Sequence, residues 1–121
     1  MAKKILIVDD SISIRKSISF VLTEEGYEVV EAEDGLDGLK KAEASQCNLV
    51  ITDINMPNMN GIELIKALRE KAEYKFVPII ALTTDSQDGK MQEGKAAGAT
   101  GWIVKPFTTE KLSAIVKKVL G

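Results

Sequence analysis

The sequence predicts an α/β domain in which a doubly wound parallel sheet carries helices on both faces. Three observations predict it. Short apolar runs alternate with helix-period segments along the whole chain, as in consecutive βα units. The runs Ile5–Val8, Leu49–Thr52 and Val77–Leu82 are nearly continuous rather than alternating, which suits strands covered on both faces. The 121 residues, 45% of them hydrophobic, are enough for one core, and no repeat, linker or low-complexity tract divides them.

Each element has its own signal. Ile5–Val8 is the first strand. Ile14, Ile18, Val21 and Leu22 then recur at helical spacing, and Gly26 stands where a glycine ends a helix. Tyr27–Ala32 is a weaker second strand. Asp34 is placed to cap the next helix, which is expected to carry Leu36 and Leu39 inward. Leu49–Thr52 is the third strand. Asn60 and Glu63 have capping-box spacing before a helix bearing Ile62, Ile65 and Leu68. Val77–Leu82 is the fourth strand. The helix after it is expected to be the weakest, because Gly89 and Gly94 each cost about 1 kcal/mol relative to alanine in a helix interior. Trp102–Val104 is the fifth strand. The last helix carries Leu112, Ile115, Val116 and Val119, with Thr108 or Thr109 as cap.

Composition narrows the chemistry. With 16 basic and 18 acidic residues the formal net charge is −2, so no basic excess draws the chain to nucleic acid. The apolar runs are too short to span a bilayer, and no basic-then-apolar leader precedes the first strand. The lone Cys47 has no internal disulfide partner and is expected to be a buried bystander in a reducing cytoplasm. The chain has no histidine. That excludes Ser-His-Asp and Cys-His catalysis and any imidazole ligand, so a metal here is a hard one held by oxygen.

Right-handed βα crossovers bring function to the carboxyl ends of the strands. The first strand ends in Asp9 and Asp10, the third in Asp53, the fourth in Thr83 and Thr84, and the fifth in Lys105 and Pro106. Three carboxylates, a hydroxyl and an ammonium therefore share one rim. The carboxylates repel and raise one another's pKa, which a divalent cation relieves. Mg2+ suits such a rim, because it accepts oxygen ligands and keeps waters for a phosphate.

Four segments, "VDD" at 8–10, "DINMPNMNG" at 53–61, "ALTT" at 81–84 and "GWIVKPF" at 101–107, stand in order at consecutive strand ends. Together they resemble the receiver domains of two-component signalling, most closely the single-domain chemotaxis response regulators, over the whole chain. The resemblance implies a flavodoxin-like sheet of strand order 2-1-3-4-5, for which such a protein is a known example. It implies Asp53 as phosphoacceptor and metal ligand, Asp10 as a direct Mg2+ ligand, Asp9 as a ligand mainly through water, and the backbone carbonyl of Asn55 as a further ligand. Thr83 would donate its hydroxyl to a phosphoryl oxygen, Lys105 would pair with the phosphoryl group, and Lys105–Pro106 would be a cis peptide. Thr84 and Trp102 depart from the family, where a smaller residue and a Tyr or Phe are usual. Asn55 and Asp85 fall where relatives tune dephosphorylation.

The implied function is a phosphorylation-activated monomeric switch, not an enzyme. A histidine kinase would be its donor and a flagellar motor switch protein or other output protein its target, with room for a phosphatase. Thr83 and Trp102 would form the switch. Residue by residue, blander roles compete: Asp9 or Asp10 as helix caps, Thr83 as a strand residue, Trp102 as core, Met56 and Met59 as packing, Lys117 and Lys118 as a wet face. A phosphorelay shuttle is the alternative within the family. An aspartyl-phosphate phosphatase would want Asp-x-Asp where "DDS" stands, and a flavin carrier would not place two aspartates in a phosphate loop.

Overall fold

The apolar runs become strands because both of their faces are covered. A computed structural model of the chain describes residues 2–83 and 88–120, and the side chains of all of these except 88–91. The order is β1 (Lys4–Val8), α1 (Ile12–Glu24), β2 (Glu28–Ala32), α2 (Gly35–Ala44), β3 (Leu49–Asp53), α3 (Gly61–Arg69), a 3-10 turn (Ala72–Tyr74), β4 (Ile79–Thr83), α4 (Asp88–Ala97), β5 (Gly101–Val104) and α5 (Thr109–Leu120). All pairings are parallel, and the sheet order is β2-β1-β3-β4-β5, as expected.

Alternate residues of each strand feed two cores. Leu6, Val8, Val50, Ile79 and Ala81 pack with α2, α3 and Ala97 of α4. Ile5, Ile7, Leu49, Ile51, Ile80, Leu82 and Ile103 pack with Ile18 and Leu22 of α1 and Leu112 and Val116 of α5. Cys47 is buried in the first core, and Met56 and Met59 pack against it. No helix among the described residues is long and apolar enough to cross a membrane.

The caps stand where their side chains can meet free backbone N–H groups. Asp34 accepts from Asp37 N, Asn60 and Glu63 close a capping box, and Gly26 ends α1 with φ +95°. Thr108, not Thr109, caps α5, accepting from Lys111 N at 3.1 Å. One expectation fails, and one of the competing blander roles does not hold. Leu36 is 53% exposed. The inward face of α2 is instead Gly35, Gly38, Leu39 and Ala42, because the helix lies so close to the sheet that a Cβ on Gly38 would be 3.0 Å from Val8. Trp102 is not core, being 36% exposed. It lies on an edge strand with one neighbour to shelter it.

Two long-range devices had no sequence signal. The Tyr74 hydroxyl donates to Ala42 O at 2.8 Å and accepts from Cys47 N at 3.0 Å, joining the turn after α3 to the end of α2; burial pushes its pKa up to about 12. The Arg69 guanidinium donates to Gly98 O, Tyr74 O and Val77 O at 2.7–3.0 Å, joining the ends of α3 and α4.

Candidate functional site

Parallel register brings the strand ends level: Val8 faces Thr52, Asp53 faces Leu82 and Thr83 faces Val104. The next residues of β1 and β5 are Asp9 and Lys105, so Asp9, Asp53, Thr83 and Lys105 meet on one rim, with Asp10 beside them. Carboxylate oxygens of Asp9, Asp10 and Asp53 lie within 4.8 Å of one another. Asp9 and Asp53 are buried and Asp10 is exposed.

The charges are tightly placed. Lys105 Nζ is 2.9 Å from Asp9 Oδ2 and 3.4 Å from Asp53 Oδ2. The other oxygen of Asp9 accepts from Ser11 N at 2.8 Å, and Asp53 Oδ1 accepts from Ile54 N at 2.9 Å. Burial raises the Asp53 pKa most, and the charge of Asp9 raises it further; Lys105 and the Ile54 N–H pull it back. Three carboxylates thus face one lysine across an oxygen-only donor set. That chemistry fits a hard divalent cation, which prefers oxygen ligands and would cancel the repulsion.

The segment after β3 is shaped to hold Asp53 still. Gly61 N donates to Ile54 O at 2.9 Å, closing the loop. A Cβ on Gly61 would stand 2.1 Å from Asp53 O, so only glycine allows this approach. Asn58 adopts φ +67°, and its amide donates to Asp34 Oδ2 at 2.7 Å. The Asp37 N–H above all, and then that bond, hold the Asp34 carboxyl below its ordinary pKa. The helix cap of α2 is therefore also the brace of the Asp53 loop.

The remaining expected residues fall at or near the rim. Asn55 is exposed in the loop, two residues beyond Asp53. Thr83 is buried, and its carbonyl accepts from Lys105 N at 2.7 Å. Lys105–Pro106 is cis. Trp102 faces Ala81 in register, so it shares a sheet face with Thr83, two residues further along β4. Thr84 and Asp85 lie outside the described residues. Sequence reasoning missed Arg15, whose Nη1 donates to Asp9 O at 2.6 Å, and its ion-pair partner Glu31 on β2. It also missed the Asp34–Asn58 brace. Each depends on a partner on a different element, so spacing carried no signal.

The response regulator receiver domain family matches residues 5–117. The chain belongs to that family. This receiver domain is CheY-like: it is 41% identical to chemotaxis protein CheY1 of Helicobacter pylori, covering 98% of this chain and 97% of that protein. Among solved structures, chemotaxis protein CheY4 of Vibrio cholerae is 50% identical, with a TM-score of 0.95 and coverage of 98% of this chain and 99% of that one. The receiver domain of the sensor histidine kinase PA1611 of Pseudomonas aeruginosa PAO1 is 27% identical, with a TM-score of 0.93 over 100% of this chain and 99% of that one. That structure has a magnesium ion coordinated in the active site cleft. The acidic rim is thus the candidate site of a two-component receiver.

Proposed function

We propose that this receiver domain is a phosphorylation-activated switch in chemotaxis, with Asp53 as its phosphoacceptor. The observation that carries the reading is the buried Asp53 carboxylate, 3.4 Å from Lys105 Nζ and clustered with Asp9 and Asp10. A phosphohistidine of a histidine kinase is the donor. An Asp53 carboxylate oxygen attacks phosphorus, the P–N bond breaks, and the imidazole leaves with a proton, giving an acyl phosphate. Lys105 pairs with a phosphoryl oxygen and Thr83 donates its hydroxyl to another. Phosphoryl transfer needs this positioning and charge neutralisation more than covalent help.

Asp10, Asp53 and the Asn55 carbonyl would hold Mg2+ directly, with Asp9 mainly through water. Bound Mg2+ would supply positive charge to the phosphoryl oxygens. Supporting this division, both Asp9 oxygens already accept hydrogen bonds, from Ser11 N and Lys105 Nζ, whereas the Asp10 carboxylate is exposed. The magnesium of the Pseudomonas receiver supports the choice of ion.

The phosphorylated domain would act by changed binding to an output protein, a flagellar motor switch component, as a cytoplasmic monomer. The chemotaxis names of the Helicobacter and Vibrio relatives support that direction. It is a stoichiometric phosphoacceptor, not a turnover enzyme, although it assists its own phosphorylation and dephosphorylation. Treatment with acetyl phosphate and Mg2+, borohydride trapping and peptide mapping test the core claim. Label on Asp53, lost in Asp53→Asn, is expected; full labelling of that variant would overturn it.

A further inference from the structure

Behind the acidic rim lies an arginine that touches none of its carboxylates. Arg15, early in α1, donates from Nη1 to the backbone carbonyl of Asp9 at 2.6 Å. Its Nε is 3.4 Å from Glu31 Oε1, and the two side chains are 13% and 26% exposed. Glu31 Oε2 is in turn 3.2 Å from Lys16 Nζ. From the other side, Asp9 N donates to Ala32 O at 3.1 Å.

We propose that Arg15, locked by Glu31, is a positioning residue that sets the direction of the Asp9 and Asp10 carboxylates for cation binding. The inference rests on the Mg2+ reading above. The carbonyl that Arg15 holds belongs to the peptide joining the two aspartates. That peptide is planar, so fixing its oxygen fixes the plane from which the Asp10 backbone departs. With Asp9 N bound to β2 and Asp9 O bound to Arg15, both ends of the Asp9 backbone are tied. The guanidinium takes a carbonyl rather than a carboxylate, so it consumes no lone pair that a cation needs. Arginine suits the task because its planar fork serves Glu31 and the carbonyl together, which a lysine ammonium on its flexible stem does not.

The test is calorimetric titration of MgCl2 into the wild type, Arg15→Met, Arg15→Lys and Glu31→Gln, with thermal melts to show that each is folded. Arg15→Met is expected to weaken Mg2+ binding by about tenfold or more, the usual effect of losing a partner that orients a ligand. Arg15→Lys should recover only part of that loss, and Glu31→Gln should show a smaller one. The losses should persist as NaCl is raised, because a misplaced ligand is not cured by screening. By charge alone, losing the Arg15 cation would strengthen Mg2+ binding. Tighter binding in folded Arg15→Met, full recovery in Arg15→Lys, or a loss that vanishes at high salt would each overturn the inference. So would wild-type affinity in folded Arg15→Met. If Arg15→Met does not fold, wild-type affinity in both Arg15→Lys and Glu31→Gln overturns it equally. A wild type that binds no Mg2+ would instead overturn the reading on which the inference rests.

Discussion

At the scale of single residues, Asp53 is a group placed against its own electrostatic preference. Burial and the charge of Asp9 favour its protonated form, and Lys105 offsets them only in part. The folded chain therefore holds the Asp53 proton more tightly than the unfolded chain does. Between the ordinary carboxylate pKa of 3.8 and the raised value, the native state binds more protons. Stability must then fall as pH rises through that window, and the full penalty is present above it. Asp53→Asn, lacking the charge, should melt higher than the wild type near neutral pH without metal. The gap should close as the pH is lowered through the window. Melting curves in metal-free buffer check this, and an Asp53→Asn melting point below wild type at neutral pH would contradict it.

At the scale of elements, the end of α4 is tied down by α3. Gly98 ends α4 with φ +117°, and its carbonyl accepts from both Nε and Nη2 of Arg69, at 3.0 and 2.8 Å. Nη1 reaches the carbonyls of Tyr74 and Val77, both at 2.7 Å. A cation at the last carbonyl of a helix also opposes the helix dipole favourably. Hydrogen bonds from charged donors to half-buried carbonyls are strong, so Arg69→Met should cost about 2–3 kcal/mol of stability. Amide exchange in the last turn of α4 should quicken more than in α1. Arg69→Lys should recover little, because an ammonium cannot fork to both sites. Denaturant unfolding and hydrogen exchange measure both effects, and uniform exchange changes across α1 and α4 would refute the local role.

At the scale of the whole molecule, one face of the sheet runs from the rim to the edge strand β5. Thr83 and Trp102 share one face of the sheet, on neighbouring strands β4 and β5. Trp102 is 36% exposed, so it has apolar surface still to bury. If phosphorylation draws Thr83 toward Asp53, an inward movement of the indole would remove that surface from water and reshape the edge. Beryllofluoride with Mg2+, titrated while tryptophan emission is followed, should give a saturable shift to shorter wavelength. Asp53→Asn should give none. Trp102 is the sole tryptophan of the chain, so the signal has one source. Flat emission with binding shown independently would remove Trp102 from the switch.

The sequence by itself determined the order of elements, the two-sided burial of the central strands, the caps and the convergence of Asp9, Asp10, Asp53, Thr83 and Lys105. These follow from local chemistry and one topological rule: helical and strand periods are written in neighbouring residues, and parallel βα units send every strand end to the same rim. The roles of those residues came from resemblance, not from periodicity. Tertiary structure alone decided the rest. Whether α2 turned Leu36 or its small-residue face inward depended on how closely it could approach Val8. Whether Trp102 was sheltered depended on β5 lying at the edge. The contacts that tie the elements together join distant positions, Asn58 with Asp34 across 24 residues and Arg69 with Gly98 across 29. A hydrogen bond between different elements leaves no period in the chain. It exists only once packing has closed the distance, which is why Arg15 and Glu31 could be named only from the fold.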